Sequence, residues 1–231
     1  MLKIERFVTM SPEQYEIVVE GMRNPMNSWD KSDSFKTYIE DPETLNTADF
    51  NFVMGDNDEE LAMKLAKGGS VHAKYRRMMP VWVTINAPLY WWKEFDTYKI
   101  GTVCNSCSTM HKIHSRAFGI DDFSHEHLNE LGLIDIMYII DSLNESRDRY
   151  LKTKDKNDWW QLIQLLPSSY NQKRTIMLNY EVLANIYTWR KDHKLDEWHV
   201  FCNWIEELPY SHLITGVLED DTARVRDGEL E

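Results

Sequence analysis

The segment from Cys104 to His114 contains the residue types that most often bind metals in proteins. Cys104, Cys107, His111 and His114 follow one another at steps of three, four and three residues, so on a helix they would share one face. Ten residues of helix rise about 15 Å, whereas zinc holds its ligands at about 2.0 to 2.3 Å. We therefore predict no metal here and favour a helix face with small polarisable residues. A metal-binding or redox protein is the minor alternative.

A second candidate is the aromatic run from Tyr90 to Lys99, which reads YWWKEFDTYK. In a cleft wall, such flat rings would stack on a planar ligand while Lys93 or Lys99 met a phosphate. The same run also fits a core strand that leads into a polar edge. The sequence leaves both interpretations open.

Two asparagines and an arginine form the third candidate. Asn179 and Asn185 are six residues apart, which is about 120° around a helix. Arg190 follows five residues after Asn185. Because Asn has a low helix propensity, two of them in a helix otherwise suited to packing suggest a specific task. The alternative, that they are ordinary solvent-facing polar residues, has equal weight.

The patterns around these candidates predict a mixture of strands and helices. Predicted strands cover residues 2–9, 34–39, 50–54, 79–85 and 88–92, with a bend or an edge at Pro88. Predicted helices cover residues 12–22, 56–67, 124–150, 158–166, 179–192 and 195–208. These elements predict one α+β domain over residues 1–231, in which residues 219–231 form a flexible acidic tail.

Bulk composition excludes several classes of protein. The chain has 231 residues, of which 42% are apolar, as expected of a packed globule. A net charge of −12 disfavours a general nucleic-acid binder, although a small phosphorylated ligand needs only a few placed cations. No apolar run approaches the roughly 18 residues of a membrane span, and three cysteines suit a reducing compartment. We expect a cytoplasmic protein that binds neither membranes nor nucleic acid polymers.

The stretch LLPSSYNQKRTIMLNYEVLANIYTWRKDHKLDEW resembles the late segment of the flavin-dependent thymidylate synthase (ThyX) family in order and spacing. The shared frame is Leu166-Pro167, Asn179, Asn185, Arg190 and Trp198. Upstream, the residues APLY before Trp91 resemble the family's proline-led strand, and Ser70 stands where the family has a hydroxyl that contacts flavin phosphate. The resemblance covers about residues 68–208.

This resemblance implies a ThyX-like α+β fold, with a central antiparallel or mixed sheet flanked by helices and a helical C-terminal half. It implies FAD as the cofactor, bound by Asn179, Asn185, Ser70 and Lys99. It implies a pyrimidine nucleotide such as dUMP as the substrate. Arg190 would bind the phosphate region of this nucleotide, and Glu94 and Ser108 would also bind the substrate. The family assembles its sites between subunits of a homotetramer, so a homo-oligomer is expected.

No catalytic residue is assigned. The family transfers a methylene group from a folate to C5 of dUMP and reduces it with flavin hydride, which requires no protein nucleophile. The protein positions the ligands and polarises the uracil ring.

The family's arginine-rich signature, R-H-R-x-x-S-x-N-E-x-S, is absent. Residues 97–108 read TYKIGTVCNSCS instead, and Ile163 replaces another family arginine. The remnants are Lys99, Thr102, Asn105 and Ser108, the last two after one inserted residue. Each lost charge-assisted hydrogen bond is worth roughly 1.5 to 3 kcal/mol, and lysine lacks the guanidinium fork that grips phosphate.

Two functional hypotheses therefore remain. The first is an active, divergent flavin enzyme that acts on a pyrimidine nucleotide, supported by the asparagine pair, Arg190 and the aromatic centre. The second is a non-catalytic nucleotide or flavin binder on the same scaffold, of the kind that a phage or mobile element could encode. The missing signature favours this second hypothesis.

Overall fold

Alternating apolar residues build the sheets of the computed structural model, which describes residues 1–39 and 49–216. The strands are β1 (Lys3–Val8), β2 (Phe35–Ile39), β3 (Asp49–Val53), β4 (Pro80–Pro88), β5 (Val103–Ser106) and β6 (Asn171–Asn179). One sheet has the order β1-β4-β6-β5 with every pair antiparallel, and β2 pairs with β3 in a second sheet. In β4, Val81, Val83 and Ile85 point into the core and alternate with residues on the open face.

Helices cover the inner face of the larger sheet and dominate the C-terminal half. They are α1 (Pro12–Arg23), α2 (Asp56–Lys67), α3 (Leu89–Phe95), α4 (Glu130–Thr153), α5 (Lys156–Leu165), α6 (Tyr180–Arg190), α7 (Asp196–Glu206) and α8 (His212–Thr215). Side chains cap several of them: Ser11 forms a capping box with Gln14, and Asn129, Asp155 and Asn179 accept backbone N–H groups. None of the helices in the described part of the chain is both long and apolar enough to cross a membrane.

The buried apolar side chains form two clusters. The larger lies between the sheet and helices α1, α3, α6 and α7, with Trp91, Trp92, Phe95 and Trp198 among its fully buried residues. The smaller lies beneath α4 and α5 and contains the Tyr170 ring. Large aromatic residues therefore position the segments that follow β4 and β6.

Most predicted elements are confirmed, including the antiparallel sheet, the flanking helices and the helical C-terminal half. The strand predicted over residues 88–92 is wrong, because α3 begins directly after β4. The N–H groups of Leu89 and Tyr90 donate to the carbonyls of Tyr170 and Ser168, which turns the chain at Pro88. A helix buried on most sides has no clear apolar period, so this run was indistinguishable from a strand.

The sequence patterns missed β6, which pairs with β4 along the whole length of both strands. Its open face carries Lys173, Thr175 and Met177, so its sequence is too polar to stand out as a strand. The tail predicted at residues 219–231 lies outside the described residues. The single domain over residues 1–231 stays a prediction.

Candidate functional site

An ion pair joins the C-terminal turns of α3 and α6. Arg190 Nη1 donates to Glu94 Oε2 at 2.8 Å. Trp198 Nε1 donates to the same oxygen at 3.0 Å, and His193 Nε2 lies 3.3 Å from it. Glu94 Oε1, by contrast, makes no hydrogen bond within the described residues. We call Glu94, Tyr98, Arg190, His193 and Trp198 the Glu94 cluster.

Two aromatic rings hold the Arg190 guanidinium in place. Its Nε donates to the Tyr98 hydroxyl at 3.0 Å, and its central carbon lies 4.8 Å from the centroid of the Trp198 ring. Contacts of this kind favour a cation over an aromatic face. Arg190 Nη2 makes no hydrogen bond within the described residues. The cluster thus leaves one acceptor on Glu94 and one donor on Arg190 unused.

The buried aromatic residues of α3 explain why Glu94 points at Arg190. Trp91, Trp92 and Phe95 fix three sides of this short helix in the core, so Glu94 is directed toward the partly exposed side. Trp198 packs against Trp91 with ring centroids 4.8 Å apart, which brings α7 to the same place. Glu94 therefore meets an arginine and an indole that lie 96 and 104 residues further along the chain.

Two of the residues assigned to flavin by resemblance lie on α6, Asn179 as its N-cap and Asn185 near its middle. Asn179 Oδ1 accepts the Val182 N–H at 3.1 Å and so caps the helix. Gly101 has φ of +77°, and a Cβ atom there would lie 3.1 Å from Asn179 Nδ2. Lys99, which is exposed, is two residues from this close approach. Asn185 is also exposed, and its amide makes no hydrogen bond within the described residues.

The two predicted serines lie apart from these groups. Ser70 is exposed on the loop after α2, and its carbonyl accepts a hydrogen bond from Arg77 at 2.9 Å. Ser108 follows β5, where its hydroxyl oxygen accepts the N–H groups of Met110 and His111. Among the described residues, no hydrogen bond joins either serine to the Glu94 cluster or to Asn179. Their binding roles stay predictions.

The helix predicted over the cysteine–histidine segment is wrong. Cys104 lies in β5 and pairs with Ile176, and Cys107 follows the end of that strand. Of the four residues only Cys104 lies in the strand, and His114 lies in a separate short 3-10 turn, so the four side chains do not share one helix face. Within residues 1–39 and 49–216, no three His, Cys, Asp or Glu side chains are grouped as a metal site requires.

Sequence reasoning missed a second arginine beside α3. Arg174 Nη1 binds Asp96 at 2.7 Å, its Nε donates to Gln172 at 2.9 Å, and its guanidinium lies 4.4 Å from the centroid of the Trp92 ring. Recognising β6 would have placed Arg174 beside β5, where the family signature was expected. Tyr98 and His193 were also missed, and their ordinary spacing gave no signal.

The fold can be compared with known proteins. No family profile matches the chain, and no curated protein sequence matches it. Two structures of ThyX from Helicobacter pylori with FAD and dUMP are 17% and 18% identical to this chain, with TM-scores of 0.60 and 0.58. Those alignments cover 94% and 95% of this chain and 98% of each neighbour.

The UMP/dUMP methylase PolB from Streptomyces cacaoi, bound with 5-Br dUMP, is 12% identical with a TM-score of 0.56. That match covers 96% of this chain and 94% of PolB. The chain therefore has an α+β fold that proteins acting on uracil nucleotides also have. More particularly, it has the fold of the flavin-dependent thymidylate synthases, as the resemblance implied.

Proposed function

We propose that the protein binds a pyrimidine nucleotide such as dUMP together with FAD, as a divergent flavin-dependent thymidylate synthase-type methyltransferase. The observation that carries this proposal is the unused pair of groups in the Glu94 cluster. A uracil ring presents an N–H beside a C=O at its edge. Glu94 Oε1 can accept from the N–H, and Arg190 Nη2 can donate to the C=O.

The charge of the Glu94 cluster favours a neutral ring over a phosphate. Glu94 already neutralises Arg190, and a dianion would have to compete with that carboxylate. We therefore assign Arg190 to the ring of the nucleotide, whereas the family resemblance implied the phosphate region. The fold supports the proposal only by analogy, because one fold hosts many functions.

Asn179, Asn185 and Lys99 fit a flavin. The exposed amide of Asn185 and the free Nδ2 of Asn179 offer donors to a polar ring edge, and Lys99 offers a cation. Gly101 keeps the space beside Asn179 clear of a side chain. With these residues holding it, FAD would supply the hydride that reduces a transferred methylene group.

A non-catalytic nucleotide or flavin binder is the second candidate. Thr97, Tyr98 and Lys99 stand where the signature has Arg-His-Arg, and the Tyr98 hydroxyl accepts a hydrogen bond from Arg190 at 3.0 Å. A side chain that fixes another protein group contributes less directly to a transition state than a charged group that contacts the substrate. This observation favours binding without turnover.

A homotetramer is part of the proposal and is supported by the surface of α4. Leu131, Ile134 and Tyr138 recur at helical spacing on its outward side, and Leu131 and Tyr138 are 71% and 68% exposed. Apolar faces of this kind mark contact surfaces. Light scattering after size-exclusion chromatography should give a mass above that of one 27.5 kDa chain. A monomer would argue against a site shared between subunits.

The first test of function is the visible absorption spectrum of freshly purified protein, with mass spectrometry of any small molecule released on denaturation. Release of FAD, or uptake of added FAD, is the expected result. A colourless protein that takes up no FAD would remove the flavin from the proposal. A subsequent assay for methylation of dUMP with folate and reductant separates the two candidates, since only the enzyme hypothesis expects product.

A further inference from the structure

A cleft of about 410 Å³ lies at the end of the larger sheet where β6 begins. The loop that follows β5 lines one side of the cleft. The end of β4 and the beginning of β6 line the other side. Its lining includes Cys107, Ser108, Lys112, Arg116, Asp122 and Tyr170. We call it the Tyr170 cleft.

The Tyr170 cleft contains more cations than anions. Lys173 pairs with Glu5 at 2.7 Å, and Arg116 forms a two-point ion pair with Asp122. Lys112 has no carboxylate within 4.0 Å among the described residues. In a chain with a net charge of −12, this local excess of positive charge runs against the overall balance.

Tyr170 is a mostly buried residue that lines the cleft, and no protein group in the described part of the chain uses its hydroxyl. The residue is only 9% exposed, and its ring packs against Phe118 and Phe123 with centroids 6.2 and 5.7 Å away. Its hydroxyl makes no hydrogen bond within the described residues. Burial, together with the nearby Cys107, raises the pKa of Tyr170 to about 12, so the hydroxyl keeps its proton near neutral pH. Because the hydroxyl is unpaired and Tyr170 lines the cleft, it can donate to a ligand there.

Further donors lie around the same cleft. The Ser108 hydroxyl oxygen accepts from the His111 N–H at 2.9 Å and from the Met110 N–H at 3.3 Å, which leaves its proton free to donate outward. The side chains of Asn86 and Ser115 make no hydrogen bond within the described residues. The free groups thus include several donors, which an oxygen-rich anion requires.

We infer that the Tyr170 cleft binds a phosphate group, either inorganic phosphate or the end of a phosphate monoester. Lys112 would supply charge, and the hydroxyls of Tyr170 and Ser108 would donate to separate phosphate oxygens. A tetrahedral anion with several acceptor oxygens matches donors that converge from different segments of the chain. This inference does not depend on the Glu94 cluster, which contributes no residue to the cleft.

Isothermal titration calorimetry of the full chain with inorganic phosphate tests the site directly. Lys112→Met should weaken phosphate binding about tenfold, because it removes a charge-assisted hydrogen bond. Tyr170→Phe, which keeps the packed ring, should weaken it about fivefold. The control Lys67→Met removes an exposed lysine on α2 and should have no effect. No phosphate binding by the wild type, or equal binding by Lys112→Met and wild type, would overturn the inference.

Competition separates the two sources of phosphate. If dUMP displaces bound phosphate and deoxyuridine does not, the cleft holds the phosphate end of a nucleotide. If phosphate binds and neither compound displaces it, the cleft serves free phosphate or another phosphate monoester. Both outcomes support a phosphate-binding site in the Tyr170 cleft. Failure of the proposed function would instead appear as the absence of FAD uptake with phosphate binding intact.

Discussion

The Glu94 cluster and the Tyr170 cleft use the same kinds of side chain in opposite ways. In the Glu94 cluster an arginine, an indole and a histidine all gather around one carboxylate oxygen, so the positive charge is already neutralised. In the Tyr170 cleft each carboxylate is matched by a cation and Lys112 remains without an acidic partner among the described residues. The partners of a cation, more than its identity, therefore determine whether it recognises a neutral ring or an anion.

The largest expected effect comes from removing the arginine of the Glu94 cluster. Arg190→Ala should lower the affinity for both dUMP and deoxyuridine at least about tenfold, because the guanidinium is assigned to the ring that both contain. Calorimetric titration with each ligand measures this, and Arg6→Ala, an exposed arginine on β1, is the control. A loss for dUMP alone would show that Arg190 contacts the phosphate and would remove the contrast between the two sites.

A smaller effect is expected at the opposite end of α6. Gly101→Ala should destabilise the protein by about 1 to 2 kcal/mol, since an L-residue is strained at positive φ and the new Cβ would press on Asn179 and Val182. Urea unfolding measures the change. Gly119→Ala is the matched control, because nothing lies within 4 Å of its Cβ position. FAD uptake should fall with Gly101→Ala while the affinity for deoxyuridine stays the same; a fall in both would show that the two ends of α6 form one site.

The ionisation of Tyr170 should make the free energy of unfolding depend on pH differently in the wild type and in Tyr170→Phe. Its pKa is raised by burial from 10.0 to about 12, so the stability it contributes is present below pH 10 and is lost as the pH rises toward 12. Tyr170→Phe cannot ionise there, and its free energy of unfolding should fall less steeply over this window than that of the wild type. Urea unfolding at several pH values measures the difference. Parallel pH profiles would mean that the hydroxyl is hydrated and is not the buried donor of the cleft.

The smallest expected effect concerns the cysteines. Cys104 and Cys107 are exposed, whereas burial raises the pKa of Cys202 to about 12, so two thiols should react readily with a disulfide reagent and the third slowly. Phosphate should slow the labelling of Cys107, which lines the Tyr170 cleft, by a fewfold and leave Cys104 unaffected. Mass spectrometry of the labelled peptides distinguishes the sites. Equal protection of both thiols would indicate a general salt effect.

Local sequence signals were sufficient for much of the fold. The capping residue Ser11 and the alternation in β1 and β4 could be predicted from the sequence, because each depends on neighbours in the chain. The signals failed for α3, which is buried on most sides, and for β6, whose open face is polar. In both segments burial by distant elements, which no local pattern records, decided the structure.

The sequence by itself determined the α+β class, most element positions, the acidic balance and the resemblance that pointed to Asn179, Asn185 and Arg190. Only the tertiary structure decided what Arg190 can do, because its partners Glu94 and Tyr98 lie more than ninety residues away in the chain. The same holds for the Tyr170 cleft, whose donors come from the loop after β5 and from the segment entering β6. Charge compensation acts between atoms a few ångströms apart in space, and separation along the chain does not specify that distance.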